Sequence, residues 1–305
     1  MSKLLLKSMA AVALAGVTGS ATANQAESFK AADIAAEHLV KAQYYRWFQL
    51  YERELTKPRI ANQLDIFTED IYIKSVVGER TGKPAYVEAI ALYEGWKNAH
   101  HVKRMNITQV DGGYRLQATI DYQGIKPNGE LSAYEVTYDA NLRNGAERLP
   151  KFSKIVITPT VAQGNSYSDA YLDNRAKSLM HYWLGLIEKL DGNIEPFKEI
   201  LADKFEINFP STKVDSLEKL EAWANGIPTH VELSTHYIEN LSVKPLGDNR
   251  FQLYVEFDWY GIMKDGSKMR YRTAHNWEVV DHINKRFAKI VKIDVKELEP
   301  LRKVD

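Results

Sequence analysis

The 305-residue sequence has no cysteine. That excludes disulfides, a thiolate nucleophile, cysteine-based zinc sites and a lipidated N-terminal cysteine. It also lacks a surplus of either charge, with 40 basic side chains against 40 acidic ones. Without a basic surplus no surface is expected to track a phosphate backbone, so nucleic acid is not an expected partner. No P-loop, GxGxxG, GxSxG or HExxH pattern occurs, so neither a cofactor nor a metal is expected. The eight histidines show no ligand spacing, and the adjacent His100–His101 would point to opposite faces of a strand. Long apolar runs are missing as well. The one candidate, Met9–Val17, falls short of the roughly 20 residues a spanning helix needs, so no stable membrane anchor is expected. What remains, 45% hydrophobic and 26% charged, is the composition of an ordinary globular protein.

The first 23 residues carry Lys3 and Lys7, no acid, the short apolar run and then Ala21–Thr22–Ala23. A basic start, an apolar middle and a small-x-small end are the three parts of a cleavable signal peptide. Cleavage is expected near Ala23, giving an exported, periplasmic or secreted product with two fewer basic groups than acidic ones.

Beyond it the sequence repeats itself. Tyr122–Gln123–Gly124–Ile125 followed by Asn128–Gly129 returns as Trp259–Tyr260–Gly261–Ile262 followed by Asp265–Gly266, at an offset of 137. His100 pairs with His236 and Trp47 with Trp183 at 136, and Phe152–Val156 pairs with Phe287–Val291 at 135. The expected organisation is a signal peptide (1–23), a first domain (24–162), a linker (163–168) around Gly164–Asn165–Ser166, and a second domain (169–305).

Each repeat reads as helices first and strands after. Trp47, Leu50, Tyr51 and Leu55 fall at helical spacing, as do Leu179, Trp183, Leu186, Ile187 and Leu190. A second short helix precedes Phe67 and Leu201, a strand follows, and a third helix lies near 85–96 and 216–223. Four strands with alternating apolar residues close each unit, among them Leu116, Ala118, Ile120, Tyr122 and Leu253, Val255, Phe257, Trp259. Asn128–Gly129 and Asp265–Gly266 predict two-residue hairpin turns.

This pattern resembles the NTF2-like (SnoaL-like) superfamily. Phe67–Thr68–Glu69–Asp70 leading to Val77–Gly78 is similar to the first-strand region of ketosteroid isomerases. Thr235–His236–Tyr237–Ile238 resembles the strand that carries a catalytic histidine in scytalone dehydratase. The resemblance implies an α+β fold of two tandem cone-shaped domains, each with helices packed in a curved antiparallel sheet. It implies a pocket for an apolar small molecule, used for binding, dehydration or isomerisation. The chemistries themselves do not transfer: Ser75 stands at the isomerase carboxylate position, and Leu190 and Phe209 at the dehydratase tyrosine positions.

The second domain supplies the expected site. On the strand from Met269 to Val279, the polar residues in phase with the apolar face are Tyr271, Thr273 and His275, and His236 begins a neighbouring strand. Two imidazoles and a phenol in one cavity could act as acid and base. The expected catalytic residues are His236, His275 and Tyr271, and the expected ligand-binding residues are Trp183, Phe209, Trp277, Thr273, His100 and Tyr138. Binding of an apolar or aromatic molecule is the leading expectation. A cofactor-independent lyase or isomerase is the second, and a non-catalytic assembly module the third. The outward row Gln252, Tyr254, Glu256, Asp258, Tyr260 is of a kind that could pair sheet backs, in a homodimer or an internal pseudo-dimer.

Overall fold

A computed structural model of the chain describes residues 31–162, 164 and 166–304. The expected signal peptide, its cleavage point and linker positions 163 and 165 lie outside the described residues. The chain forms two compact units, each discontinuous in sequence. The first consists of Leu39–His181 and His282–Ala288. The second consists, among the described residues, of 31–38, Tyr182–Asp281 and 289–304.

The first unit carries β1 (Phe67–Ser75), β2 (Gly78–Thr81), β3 (Lys97–Val110), β4 (Gly113–Ile125), β5 (Leu131–Arg143) and β6 (Lys151–Ala162). Its sheet order is β2-β1-β6-β5-β4-β3. The second carries β7 (Leu201–Phe209), β8 (Thr212–Val214), β9 (Val231–Gly247), β10 (Arg250–Met263), β11 (Lys268–Val280) and β12 (Lys289–Val304). Its order, β8-β7-β12-β11-β10-β9, is the same order again. In both, the first long strand runs parallel to the last and the other neighbours are antiparallel. The fold is therefore α+β, with the same sheet order built twice along the chain. The helices are α1 (Ala31–Phe48), α2 (Lys57–Gln63), α3 (Lys83–Ile90), α4 (Tyr171–Ile187) and α5 (Leu217–Gly226). Among the described residues no helix is long and apolar enough to cross a membrane.

The alternation read from sequence is what buries one sheet face. Phe251, Leu253, Val255, Phe257 and Trp259 are all at most 2% exposed, while Asp258 between them turns outward to a two-pronged pair with Arg270 at 2.7 and 2.8 Å. Bulges such as those between Val102/Arg104 and Glu256/Phe257 break the register and bend the strands around their contents.

Two local expectations are corrected. Gly129 and Gly266 do take positive φ, 85° and 79°, but the loops are three residues long rather than two. Gly129 N donates to Lys126 O and Lys126 N to Glu130 O, both at 2.9 Å, and Gly266, Met263 and Ser267 repeat the pattern. Only the glycine is left-handed, which makes these turns with a glycine bulge. A true two-residue turn with both residues left-handed sits at Asp248 (φ 49°) and Asn249 (φ 58°). The second correction is the repeat register at the last strand. Ala140 opposes Ile155 and Trp277 opposes Ile293. Ile155 therefore corresponds to Ile293, three residues away from the match suggested by the similar strings Phe152–Val156 and Phe287–Val291.

Candidate functional site in the first unit

Each unit holds a buried glutamate just past the end of a long helix. Glu52 follows α1, its N–H still bonded to Phe48 O at 3.2 Å, and Glu188 follows α4, bonded to Leu184 O at 2.9 Å. A carboxylate near a helix C-terminus meets the unfavourable end of the dipole, and both side chains are 0% exposed. A buried charge of this kind persists only with strong donors around it.

Those donors come from a histidine on the third long strand. Glu52 Oε1 accepts from the backbone N–H of His100 at 2.9 Å and lies 3.0 Å from its Nδ1. Asn174 Nδ2 adds a bond to the same oxygen at 2.8 Å and another to His100 O at 2.9 Å. In the second unit Glu188 Oε1 accepts from His236 N at 2.6 Å and lies 2.8 Å from its Nδ1. His38 Nε2 is 3.2 Å from the other carboxylate oxygen. Because each Nδ1 faces a carboxylate, the neutral ring keeps its hydrogen there, and Nε2 is left as the acceptor.

What surrounds the two dyads differs. In the first unit His100 lines a cavity of about 470 Å³, within the range of small-molecule sites. His100 is stacked on Phe48, with ring centroids 4.5 Å apart and planes at 7°. Around it Trp47 Nε1 donates to Tyr86 Oη at 3.1 Å, and Tyr51 Oη lies 2.8 Å from Tyr86 Oη. Tyr122 Oη donates to Asn98 Oδ1 at 2.7 Å, while Asn98 Nδ2 holds Tyr51 O at 2.9 Å. Burial raises the pKa of Tyr51, Tyr86, Tyr122 and Tyr138 above that of an ordinary phenol. These rings stay protonated and can donate hydrogen bonds, and the His100 imidazole lies among them.

In the second unit the corresponding space is about 30 Å³, room for roughly one water. Trp183, Phe209 and Thr273 line it together with His236, His275 and Tyr271, so the sequence does bring those residues together. Trp277 is fully buried against Trp183, with ring centroids 5.7 Å apart. The space beside these residues is small, whereas His100 and Tyr138 line the larger cavity of the first unit. Burial and the charge of His236 push His275 down to about 3, so it is neutral near pH 7. Its Nε2 is engaged with Thr273 Oγ1 at 3.0 Å. Tyr271 is 2% exposed, and burial with the nearby Glu297 raises its phenol.

Strand register identifies what filled the second cone. Tyr122 opposes Tyr134 and Trp259 opposes Tyr271; Leu116 opposes Ala140 and Leu253 opposes Trp277. Ile73 opposes Arg80 and Ile207 opposes Val214, which sets Ser75 equivalent to Phe209. Three positions are thus larger in the second unit: Ser75 gives way to Phe209, Tyr122 to Trp259 and Ala140 to Trp277. Phe209 stacks on Trp223 at 4.9 Å and 16°, closing the space.

Sequence reasoning missed Glu52 and Glu188, although their offset of 136 matches that of Trp47 with Trp183 and His100 with His236. The third partners, His38 and Asn174, have the same offset. Among the described residues no group of three or more histidine or acidic side chains could hold a metal ion.

No protein-family model and no curated protein matches the chain. Solved structures do resemble it. A provisionally assigned scytalone dehydratase from Novosphingobium aromaticivorans is 10% identical, with a TM-score of 0.39, over 45% of this chain and 93% of that one. An NTF2-like superfamily protein from Salmonella enterica is 10% identical, with a TM-score of 0.38, over 43% and 93%. A hexachlorocyclohexane dehydrochlorinase from Novosphingobium barchaimii is 12% identical, with a TM-score of 0.37, over 43% and 89%. Chemistry rests on the residues.

Proposed function

We propose that the first unit binds a small, mainly apolar or aromatic molecule and that His100, oriented by Glu52, takes a proton from it. That is a cofactor-independent step of the lyase or isomerase type. The observation that carries the reading is the cavity of about 470 Å³ with His100 in its lining and the Glu52 carboxylate locked to Nδ1. A base with one nitrogen fixed and the other left over, among neutral phenol donors, is suited to removing a proton while an oxygen on the substrate gains negative character.

Trp47 and Trp96 in the lining make binding observable by fluorescence. Titration with 2-naphthol is expected to quench the wild-type protein saturably. Ser75→Phe, which imports the residue of the filled unit, is expected to weaken binding at least about tenfold by removing volume, a loss of about 1.4 kcal/mol. Equal affinity in Ser75→Phe, or no saturation in the wild type, would remove the cavity from consideration.

We also propose that the protein is exported from the cytoplasm. Support for export is the basic, apolar and small-residue succession of residues 1–23. Intact-mass analysis of the protein from its own host is expected to find a chain beginning at Asn24; one that retains Met1–Ala23 would refute export by cleavage.

A further inference from the structure

The lining of the first cavity contains one permanently charged side chain, Arg80. It stands on β2 opposite Ile73. Partners across an antiparallel pair share a face, which is why the guanidinium joins the buried Ile73 at the cavity. It lies at the rim: Val76 and Val77 of the same hairpin also line the space and are 75% and 42% exposed. Room for it comes from Gly78. That residue has φ 104°, and a Cβ there would come within 3.1 Å of Arg80 Nη1.

Arg80 has no carboxylate at ion-pair distance among the described residues. Its Nη1 donates to the Glu79 backbone oxygen at 2.7 Å, while the Glu79 carboxylate is taken by Lys74 at 2.6 Å. A two-pronged donor is therefore left facing an apolar cavity without its natural acceptor. The duplication gives an independent view. In the second unit the position equivalent to Arg80 is Val214, fully buried. The unit with space has the cation, and the filled unit has an apolar residue in its place.

We propose that Arg80 is a specificity residue that pairs with a carboxylate of the ligand, so that the first unit takes an apolar-ring carboxylic acid with its ring inward and its anion at the rim. This rests on the cavity reading above and narrows it to a chemical class.

The test compares 2-naphthoate with the neutral, near-isosteric 2-naphthamide on the full chain, followed by tryptophan fluorescence at low ionic strength. Naphthoate is expected to bind about tenfold more tightly than the amide. Arg80→Gln should bring the ratio of the two affinities to about one, with saturable binding of the amide by the variant showing that the cavity is intact. Arg80→Lys should keep part of it, since the charge stays and the fork is lost. Equal affinity of the two probes in the wild type, or a preference that survives Arg80→Gln, overturns the carboxylate assignment while the cavity reading stands. If neither probe binds, the cavity reading fails and takes this proposal with it.

Discussion

Replacing Glu188 with alanine is expected to lower the unfolding free energy by about 3–5 kcal/mol, the range for breaking one side of a buried ionic contact. The loss has several parts. The His236 backbone N–H and Nδ1 both lose their acceptor, and His38 loses the carboxylate oxygen 3.2 Å away. Each buried donor left unmet costs about 1–3 kcal/mol. Urea unfolding at pH 7 measures the effect, and a loss below about 1 kcal/mol would mean the dyad is no more than a surface-type pair. The pH dependence supplies a second readout. Burial alone would raise the Glu188 carboxyl, but His38 and His236 outweigh it and hold the group below its ordinary 4.5. A group depressed in the folded state contributes stability above its unfolded pKa and loses it as pH falls through the folded value. Wild-type stability should therefore fall on acidification below about pH 4.3, and Glu188→Gln should show a shallower acid limb.

The frame of each unit was legible because burial on one sheet face writes itself as alternation. Leu116, Ala118 and Ile120 in one repeat, and Leu253, Val255 and Phe257 in the other, are all buried. The glutamates were not legible by the same rule. A charged residue at the end of an amphipathic helix ordinarily faces water, and donors far along the chain, a histidine backbone N–H and Nδ1 with Asn174 or His38, explain why Glu52 and Glu188 do not. Volume was hidden for a different reason. An inward-facing position gives the same pattern whatever its size, so the exchange of Tyr122 for Trp259 leaves the alternation intact while it takes up space in the lining. The polar residues in phase, Thr273 and His275, pointed toward the second unit, yet they lie against a space already taken by rings. Arg80 was invisible because β2 is only four residues long and an arginine in a short edge strand reads as a solvent residue.

Duplication also gives the chemistry an internal control. The Glu–His geometry is kept in both units, while the space beside it survives in one. In both units the pair ties a helix end to a strand. On the proposed reading, the Glu52–His100 tie beside the larger cavity holds His100 as a positioned base.

5-Nitrobenzisoxazole opens when a base removes its C–H proton: the C–H electrons form the nitrile, the N–O bond breaks and a phenolate leaves. No cofactor enters, and the probe is a small aromatic of the class proposed for the cavity. The wild type should accelerate the opening, and His100→Ala should lower kcat/KM by about 10²- to 10⁴-fold, the span of a positioned general base. Glu52→Gln should fall between the two, because an amide can hold Nδ1 through its oxygen but no longer stabilises the imidazolium formed on proton transfer. Ser75→Phe should lose activity through binding, raising KM rather than lowering kcat. His275→Ala, in the cone of about 30 Å³, should leave the rate unchanged. The decisive comparison is between the histidines: activity that survives His100→Ala and vanishes in His275→Ala would return the chemistry to the second unit and show that its tryptophans part to admit a substrate.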